Sequence, residues 1–168
     1  EEKLFQLLEE RVYARVAPED RHGLNHFNQG SMSDPTRWLQ NWNRTFELTQ
    51  ESPKDGVLLL LGMSDSPYRL RPIGLSLHEA GATVIGLRIP GHGTAPSGLV
   101  EVYWQDMAEA VKLAMKHLQK TSNGQPLYII GYSNGSALAL HYTLSTLDDP
   151  QLPKPEGLVL VSPAIGVT

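Results

Sequence analysis

Four short apolar runs divide the chain, and segments with apolar residues at helical spacing separate them. The runs are VLLLLG, ATVIGLRI, LYIIGY and GLVLVSP, and they stay apolar instead of alternating with polar residues. Strands of this kind are typical of mostly parallel sheets that are covered by helices on both faces. The pattern therefore predicts an α/β fold.

Three segments after residue 70 have the spacing of helices. They are RPIGLSLHEAG, with Pro72 in its first turn and Gly81 as its stop, YWQDMAEAVKLAMKHLQK, and NGSALALHYTLSTL. The first 50 residues differ. EEKLFQLLEERVYARV predicts an N-terminal helix, a polar irregular stretch follows, and RTFELTQ alternates like a half-buried strand. We therefore expect an N-terminal helix and irregular extension over residues 1–50 and a core domain over residues 51–168.

The predicted sheet directs attention to one edge, because ligands of such folds bind beyond the carboxyl ends of the strands. Three unusual loops follow strands there: GMSDSPY, IPGHGTAPSGL and GYSNGS. In GYSNGS, Ser133 lies between a strand and a helix, with Gly131 and Gly135 two positions away on either side. A plain glycine turn is one interpretation. The strand before and the helix after favour the other, a G-x-S-x-G nucleophile elbow.

A serine nucleophile needs donors for the oxyanion of its tetrahedral intermediate. One donor in this arrangement is the backbone N–H of the residue after the serine, which is Asn134. The second comes from the loop after an earlier central strand, where Met63 follows Gly62. The sequence thus predicts Ser133 as the nucleophile, with Met63 and Asn134 as the oxyanion hole.

Other conspicuous residues have simpler interpretations. Asp65 and Ser66 precede a proline and a helix, which favours capping, and Asp106 favours capping of the long helix. Trp104 is expected to have a packing role, and Met107 and Met115 are expected in the core. His141 follows Ser133 by two helical turns, about 12 Å, which is too far for it to be the catalytic base.

Composition excludes several classes of partner and cofactor. The net charge is −4 and no long basic run occurs, so we expect no nucleic-acid partner. The chain has no cysteine and its histidines are scattered, so we expect neither a metal nor another cofactor. No apolar run approaches the roughly 20 residues of a membrane span. The chain starts at Glu1, so a removed signal or anchor stays open, and the cytoplasm is the default expectation.

Five segments in order resemble the N-terminal half of an α/β-hydrolase of the bacterial esterase, carboxylesterase or monoacylglycerol-lipase type. They are LLLLGMSDSPYRLRP, VIGLRIPGHGTAPSGL, VYWQDM, GYSNGSALAL and LVLVSPAIGV, and the resemblance covers about residues 55–168. It implies Ser133 as nucleophile and Met63 and Asn134 as oxyanion donors. It also implies that His92 belongs to a structural loop. The chain departs from the family at Leu61, where a histidine usually precedes the glycine.

The resemblance also implies what this stretch lacks. The acid and the base of this fold follow the nucleophile in chain order and lie after later strands, so we expect the C-terminal part of the fold to be absent. Asp148 and Asp149 are expected to face away from the site. The loops near the predicted site are rich in Met, Leu, Tyr and Pro and poor in paired charges, so we expect a small neutral or partly apolar acyl ester as substrate. The strand LVLVS would be left with an open edge, through which chains could associate with one another.

Two alternatives remain. The first is a binding or regulatory protein that has lost catalysis on the same fold, for which Leu61 is slight support. The second is a dinucleotide-binding domain, which is weaker because GYSNGS lacks the G-x-G-x-x-G spacing and no acidic residue ends a strand about 20 residues later.

Overall fold

A computed structural model describes residues 30, 34, 37–39, 41, 43–93, 96–100 and 102–166. The predicted N-terminal helix and most of the irregular stretch after it lie outside these residues. The division into an N-terminal extension (residues 1–50) and a core domain (residues 51–168) therefore stays a prediction.

Within the described residues, five strands form one sheet, and three α-helices connect them. The strands are β1 Phe46–Leu48, β2 Asp55–Leu60, β3 Ala82–Leu87, β4 Leu127–Tyr132 and β5 Gly157–Val161. The helices are α1 Arg71–Glu79, α2 Trp104–Thr121 and α3 Asn134–Asp148, and 3₁₀ turns cover Pro67–Leu70 and Pro96–Leu99. The strand order is β1-β3-β2-β4-β5, and only β1 is antiparallel to its neighbour. The mostly parallel α/β sheet predicted from the apolar runs is confirmed.

Burial on both faces explains why β2 and β3 are apolar at nearly every position, the exceptions being Asp55 at the start of β2 and Thr83 in β3. β2 is central, with β3 paired on one side and β4 on the other, and Leu58, Leu59 and Leu60 are fully buried. Leu58 and Leu60 belong to a core that α2 and α3 cover, and Leu59 belongs to a second core beneath α1. A polar side chain in place of Leu58, Leu59 or Leu60 would face a helix instead of water.

The sheet is not covered equally on its two faces. Helix α1 packs on β3 and β1, and Gly74 brings its backbone close to the ring of Phe46. On this face, β4 and β5 extend beyond α1 and keep apolar side chains partly exposed. These are Tyr128 (37%), Tyr132 (44%), Val159 (52%) and Val161 (45%). Helices therefore lie on both faces of the sheet, as predicted, and among the described residues one face of β4 and β5 is only partly covered.

Candidate active site

Ser133 lies where β4 turns into α3, and its backbone has φ 51° and ψ −114°. A positive φ is unusual for a residue with a Cβ, and this ψ lies far from the left-handed helical region that such residues usually adopt. Conformations of this kind cost roughly 1–3 kcal/mol and persist only where the surrounding structure imposes them. The strained turn is the one that the G-x-S-x-G pattern predicted.

At both predicted elbow positions, Gly131 and Gly135, the surrounding backbone leaves no room for a Cβ. A Cβ on Gly135 would collide with the backbone carbonyl of Leu60, at the carboxyl end of β2. A Cβ on Gly131 would stand 2.6 Å from both the carbonyl oxygen of Gly135 and the amide nitrogen of Ser136. Because neither glycine has a side chain, the first turn of α3 can lie directly against the ends of β2 and β4.

Hydrogen bonds hold the strained turn in place. The N–H of Ser133 donates to the carbonyl of Val161 at 2.9 Å, and the N–H of Ser136 donates to the carbonyl of Ser133 at 3.0 Å. The Ser136 hydroxyl is fully buried and donates to the carbonyl of Gly131 at 2.6 Å. Sequence reasoning missed Ser136. Its signal was a hydroxyl in a helix segment, SALAL, whose other residues are all apolar.

The loop after β2 approaches Ser133, as predicted. A Cβ on Gly62 would lie 3.4 Å from the Cβ of Ser133. The loop turns back through a positive φ at Ser64 and a hydrogen bond from the N–H of Asp65 to the carbonyl of Gly62, at 3.3 Å. Within the described part of the chain, neither the N–H of Met63 nor that of Asn134 has a hydrogen-bond partner. Both predicted oxyanion donors therefore belong to segments that meet at Ser133.

Asp65 ties this loop to its surroundings. Its carboxylate accepts the N–H of Ser66 at 2.9 Å and pairs with Arg69 at 3.3 Å, and its carbonyl accepts the N–H of Gly93 at 3.0 Å. Ser66 begins the turn Pro67–Leu70, yet its hydroxyl makes no capping hydrogen bond. The capping role predicted for both residues is therefore wrong: Asp65 instead holds the N–H of Ser66 and the side chain of Arg69.

His92 is a buried structural residue, with 1% of its surface exposed. Its Nδ1 lies 2.9 Å from the carbonyl oxygen of Pro90, and because a carbonyl only accepts, Nδ1 is the protonated nitrogen. Burial lowers the pKa of His92 below its ordinary value. Its Nε2 is also buried and has no partner among the described residues. A neutral ring therefore supports the loop that is hydrogen-bonded to Asp65.

None of the described histidines has a ring nitrogen hydrogen-bonded to Ser133. His78 contacts Gln50, His92 contacts Pro90, His117 contacts Glu47, and His141 lies edge-on to Trp104 at 5.1 Å between ring centroids. Asp148 and Asp149 lie at the opposite end of α3, about 22 Å from Ser133 at 1.5 Å per residue. The described residues thus contain a candidate nucleophile without a histidine beside it.

The packing and capping roles predicted around the long helix are found. Met107 and Met115 are buried in the core, and the carboxylate of Asp106 accepts the N–H of Tyr103 at the start of α2. Trp104, predicted to pack, lies against the ring of His141 and is more than half exposed. Met107 also contacts the site, since its Sδ lies 3.9 Å from the Nδ2 of Asn134.

The described residues offer neither a metal site nor a helix that could span a membrane. Among them, no three histidine, aspartate or glutamate side chains are arranged to hold a metal ion. The described helices also include none with the length and apolar character needed to cross a bilayer.

The comparisons with known proteins found hydrolases. A family model described as serine aminopeptidase, S33, matches residues 51–168. The chain is 30% identical over 86 residues to a thermostable monoacylglycerol lipase of Bacillus sp. (strain H-257), an alignment that covers 51% of this chain and 34% of that protein.

Solved structures similar to this chain include lipolytic enzymes and esterases. One, from work on two metagenome-derived lipolytic enzymes, has a TM-score of 0.61 and 24% identity over 72% of this chain and 46% of that chain. Another, a carboxyl esterase of Bacillus coagulans in complex with glycerol, has a TM-score of 0.57 and 25% identity over 69% of this chain and 38% of that chain. This chain therefore spans less than half the length of these relatives, and its sheet is part of their fold.

Proposed function

Because the chain belongs to the serine aminopeptidase S33 family and is an α/β-hydrolase of the esterase and lipase type, we propose that Ser133 is the nucleophile of a carboxylic ester hydrolase. The observation that carries the proposal is the strained backbone of Ser133, held between two glycines whose Cβ atoms would collide with the backbone around them. A positive φ combined with a ψ of −114° is costly for a residue with a Cβ, and backbone strain of this kind is concentrated at functional sites.

In the proposed reaction, the Oγ of Ser133 attacks the carbonyl carbon of an ester, and the alcohol leaves with a proton. The N–H groups of Met63 and Asn134 donate hydrogen bonds to the oxygen that becomes negative, which stabilises the transition state more than the bound ester. Water then hydrolyses the acyl-enzyme. We assign the general base and the acid that orients it to a part of the protein outside the described residues.

The surroundings of Ser133 suit a neutral, partly apolar acyl ester. Met63, Tyr68 and Tyr132 are exposed apolar or aromatic side chains at the carboxyl ends of β2 and β4. The charge of Asp65 in the same loop is paired with Arg69, so it offers little attraction to a charged substrate. The printed names of the relatives, a monoacylglycerol lipase and a carboxyl esterase, support the same substrate class.

The family description names an aminopeptidase, and this favours an amide as the competing substrate class.

A second candidate function is binding or regulation without catalysis. The side chain of Leu61, where a histidine is usual, is buried in the core and has no polar group to support the loop.

The test is Ser133→Ala in the full-length protein, with Ser145→Ala in the same helix as the matched control. We expect Ser133→Ala to lower turnover of p-nitrophenyl esters by several orders of magnitude and to abolish labelling by a fluorophosphonate probe, while Ser145→Ala retains both. Activity of Ser133→Ala within tenfold of the wild type would refute the assignment. Faster cleavage of amino-acid p-nitroanilides than of esters would favour the aminopeptidase.

A further inference from the structure

We infer that Tyr132 is a positioning residue. Its ring holds the loop Gly62–Met63 where the N–H of Met63 can donate to the oxyanion of the ester, an inference that rests on the proposed function. Tyr132 is the last residue of β4 and immediately precedes Ser133. A Cβ on Gly62 would stand 2.9 Å from the Cδ1 and 3.0 Å from the Cε1 of Tyr132. The ring therefore fills the space where a side chain of residue 62 would be.

Gly62 is the part of this loop that most needs support. The N–H of Met63 belongs to the peptide that joins Gly62 to Met63, so its direction depends on the backbone dihedrals of Gly62. Glycine has the widest range of these dihedrals. The bond between the Gly62 carbonyl and the N–H of Asp65 is 3.3 Å, which is longer than the usual 2.9–3.0 Å. Contact with the Tyr132 ring restricts Gly62 on the side that faces Ser133.

The aromatic ring, and not the hydroxyl, carries this role. Tyr132 is 44% exposed, and within the described residues its hydroxyl has no hydrogen-bond partner. Its ring contacts a glycine that offers only backbone atoms. Phenylalanine at this position would therefore keep the contact, and alanine would remove it.

The matched control is Tyr128, four residues earlier on the same strand and the same face of the sheet. It is 37% exposed, so its burial is close to that of Tyr132. Its ring contacts Gly157, and a Cβ on Gly157 would lie 3.2 Å from the Cδ1 of Tyr128. Tyr128→Ala thus removes a comparable ring from the strand without touching the loop after β2.

The experiment measures ester hydrolysis by full-length variants Tyr132→Ala, Tyr132→Phe and Tyr128→Ala. We expect Tyr132→Ala to lower kcat about 10- to 100-fold with KM changed less than about threefold, because a displaced oxyanion donor weakens transition-state binding more than ester binding. Tyr132→Phe and Tyr128→Ala should keep kcat within about threefold. Equal losses for Tyr132→Ala and Tyr128→Ala, or a kcat of Tyr132→Ala near that of the wild type, would overturn the inference.

A second measurement does not depend on activity. Gly62→Ala should lower the midpoint of urea unfolding in the wild-type background and lower it less in combination with Tyr132→Ala, because the truncation frees the space for the new methyl group. Equal shifts in the two backgrounds would show that the ring does not confine Gly62. Wild-type protein with neither ester turnover nor Ser133-dependent labelling would overturn the proposed function together with this inference, whereas an active wild type with an unaffected Tyr132→Ala overturns this inference alone.

Discussion

The strained backbone of Ser133 leads to a prediction about stability that needs no assay of catalysis. Ser133→Ala and Ser133→Gly both remove the hydroxyl, but only glycine also removes the Cβ. With φ at 51° and ψ at −114°, the Cβ is the source of the strain. We therefore expect the glycine variant to be more stable than the alanine variant, which is the reverse of the usual order.

The size of the effect follows from two opposing contributions. Relief of the unfavourable conformation is worth roughly 1–3 kcal/mol. Glycine gains about 0.5–1 kcal/mol of conformational entropy in the unfolded chain relative to alanine, and this destabilises the folded state. The difference leaves Ser133→Gly more stable than Ser133→Ala by about 1 kcal/mol, or roughly 2–4 °C in Tm for a domain of this size.

Urea unfolding of the two full-length variants measures this difference, provided that their m-values agree. The matched pair is Ser145→Gly and Ser145→Ala, inside α3, where ordinary helical geometry should make glycine the less stable by about 1 kcal/mol. The reasoning is refuted if glycine is less stable than alanine at position 133 by the same amount as at position 145.

Three further predictions concern packing, pH and association. Gly135→Ala should lower the free energy of unfolding by roughly 1–3 kcal/mol, because its Cβ would meet the Leu60 carbonyl; an unchanged Tm would contradict this. Burial lowers the pKa of folded His92, so below the unfolded value of 6.5 the unfolded state binds a proton that the folded state does not, and stability falls as the pH falls. The stability advantage of the wild type over His92→Asn should therefore shrink between pH 7.5 and pH 5.5, and a constant difference would refute the role of His92. The open edge of β5 should associate the 168-residue chain expressed alone, as light scattering would show, and Val159→Lys should weaken that association; a monomeric wild type would contradict the prediction.

Features that depend on neighbours in the sequence were predictable. The strands β2 and β3 followed from apolar runs, since most residues of a strand that is buried on both faces are apolar. The stop of α1 followed from Gly81, which has φ 106°. Glycine at position 131 likewise reflects a steric demand within five residues, whereas Gly135 is required by the carbonyl of Leu60 on the neighbouring strand β2. The catalytic roles of Ser133, Met63 and Asn134 are still predictions.

Features that depend on the order of the strands could not be predicted. The contact between Tyr132 and Gly62 joins residues 70 positions apart and exists because β2 and β4 are neighbours in the sheet. The exposure of Val159 and Val161 depends on the width of the sheet relative to α1, which covers only part of that face. No local sequence pattern predicts the strand order or how much of the sheet α1 covers.

The carbonyl of Val161 accepts both the N–H of Ser133 at 2.9 Å and, more weakly, the hydroxyl of Ser136 at 3.4 Å. The backbone of the candidate nucleophile is thus held by a strand that lies 28 positions later in the chain. On a ribosome, the segment around Ser133 leaves the exit tunnel before β5 does, so the hydrogen bond from Ser133 to Val161 is not yet available. We expect the strained conformation to be fixed only when β5 pairs with β4. The backbone geometry of the candidate nucleophile is then completed late in synthesis.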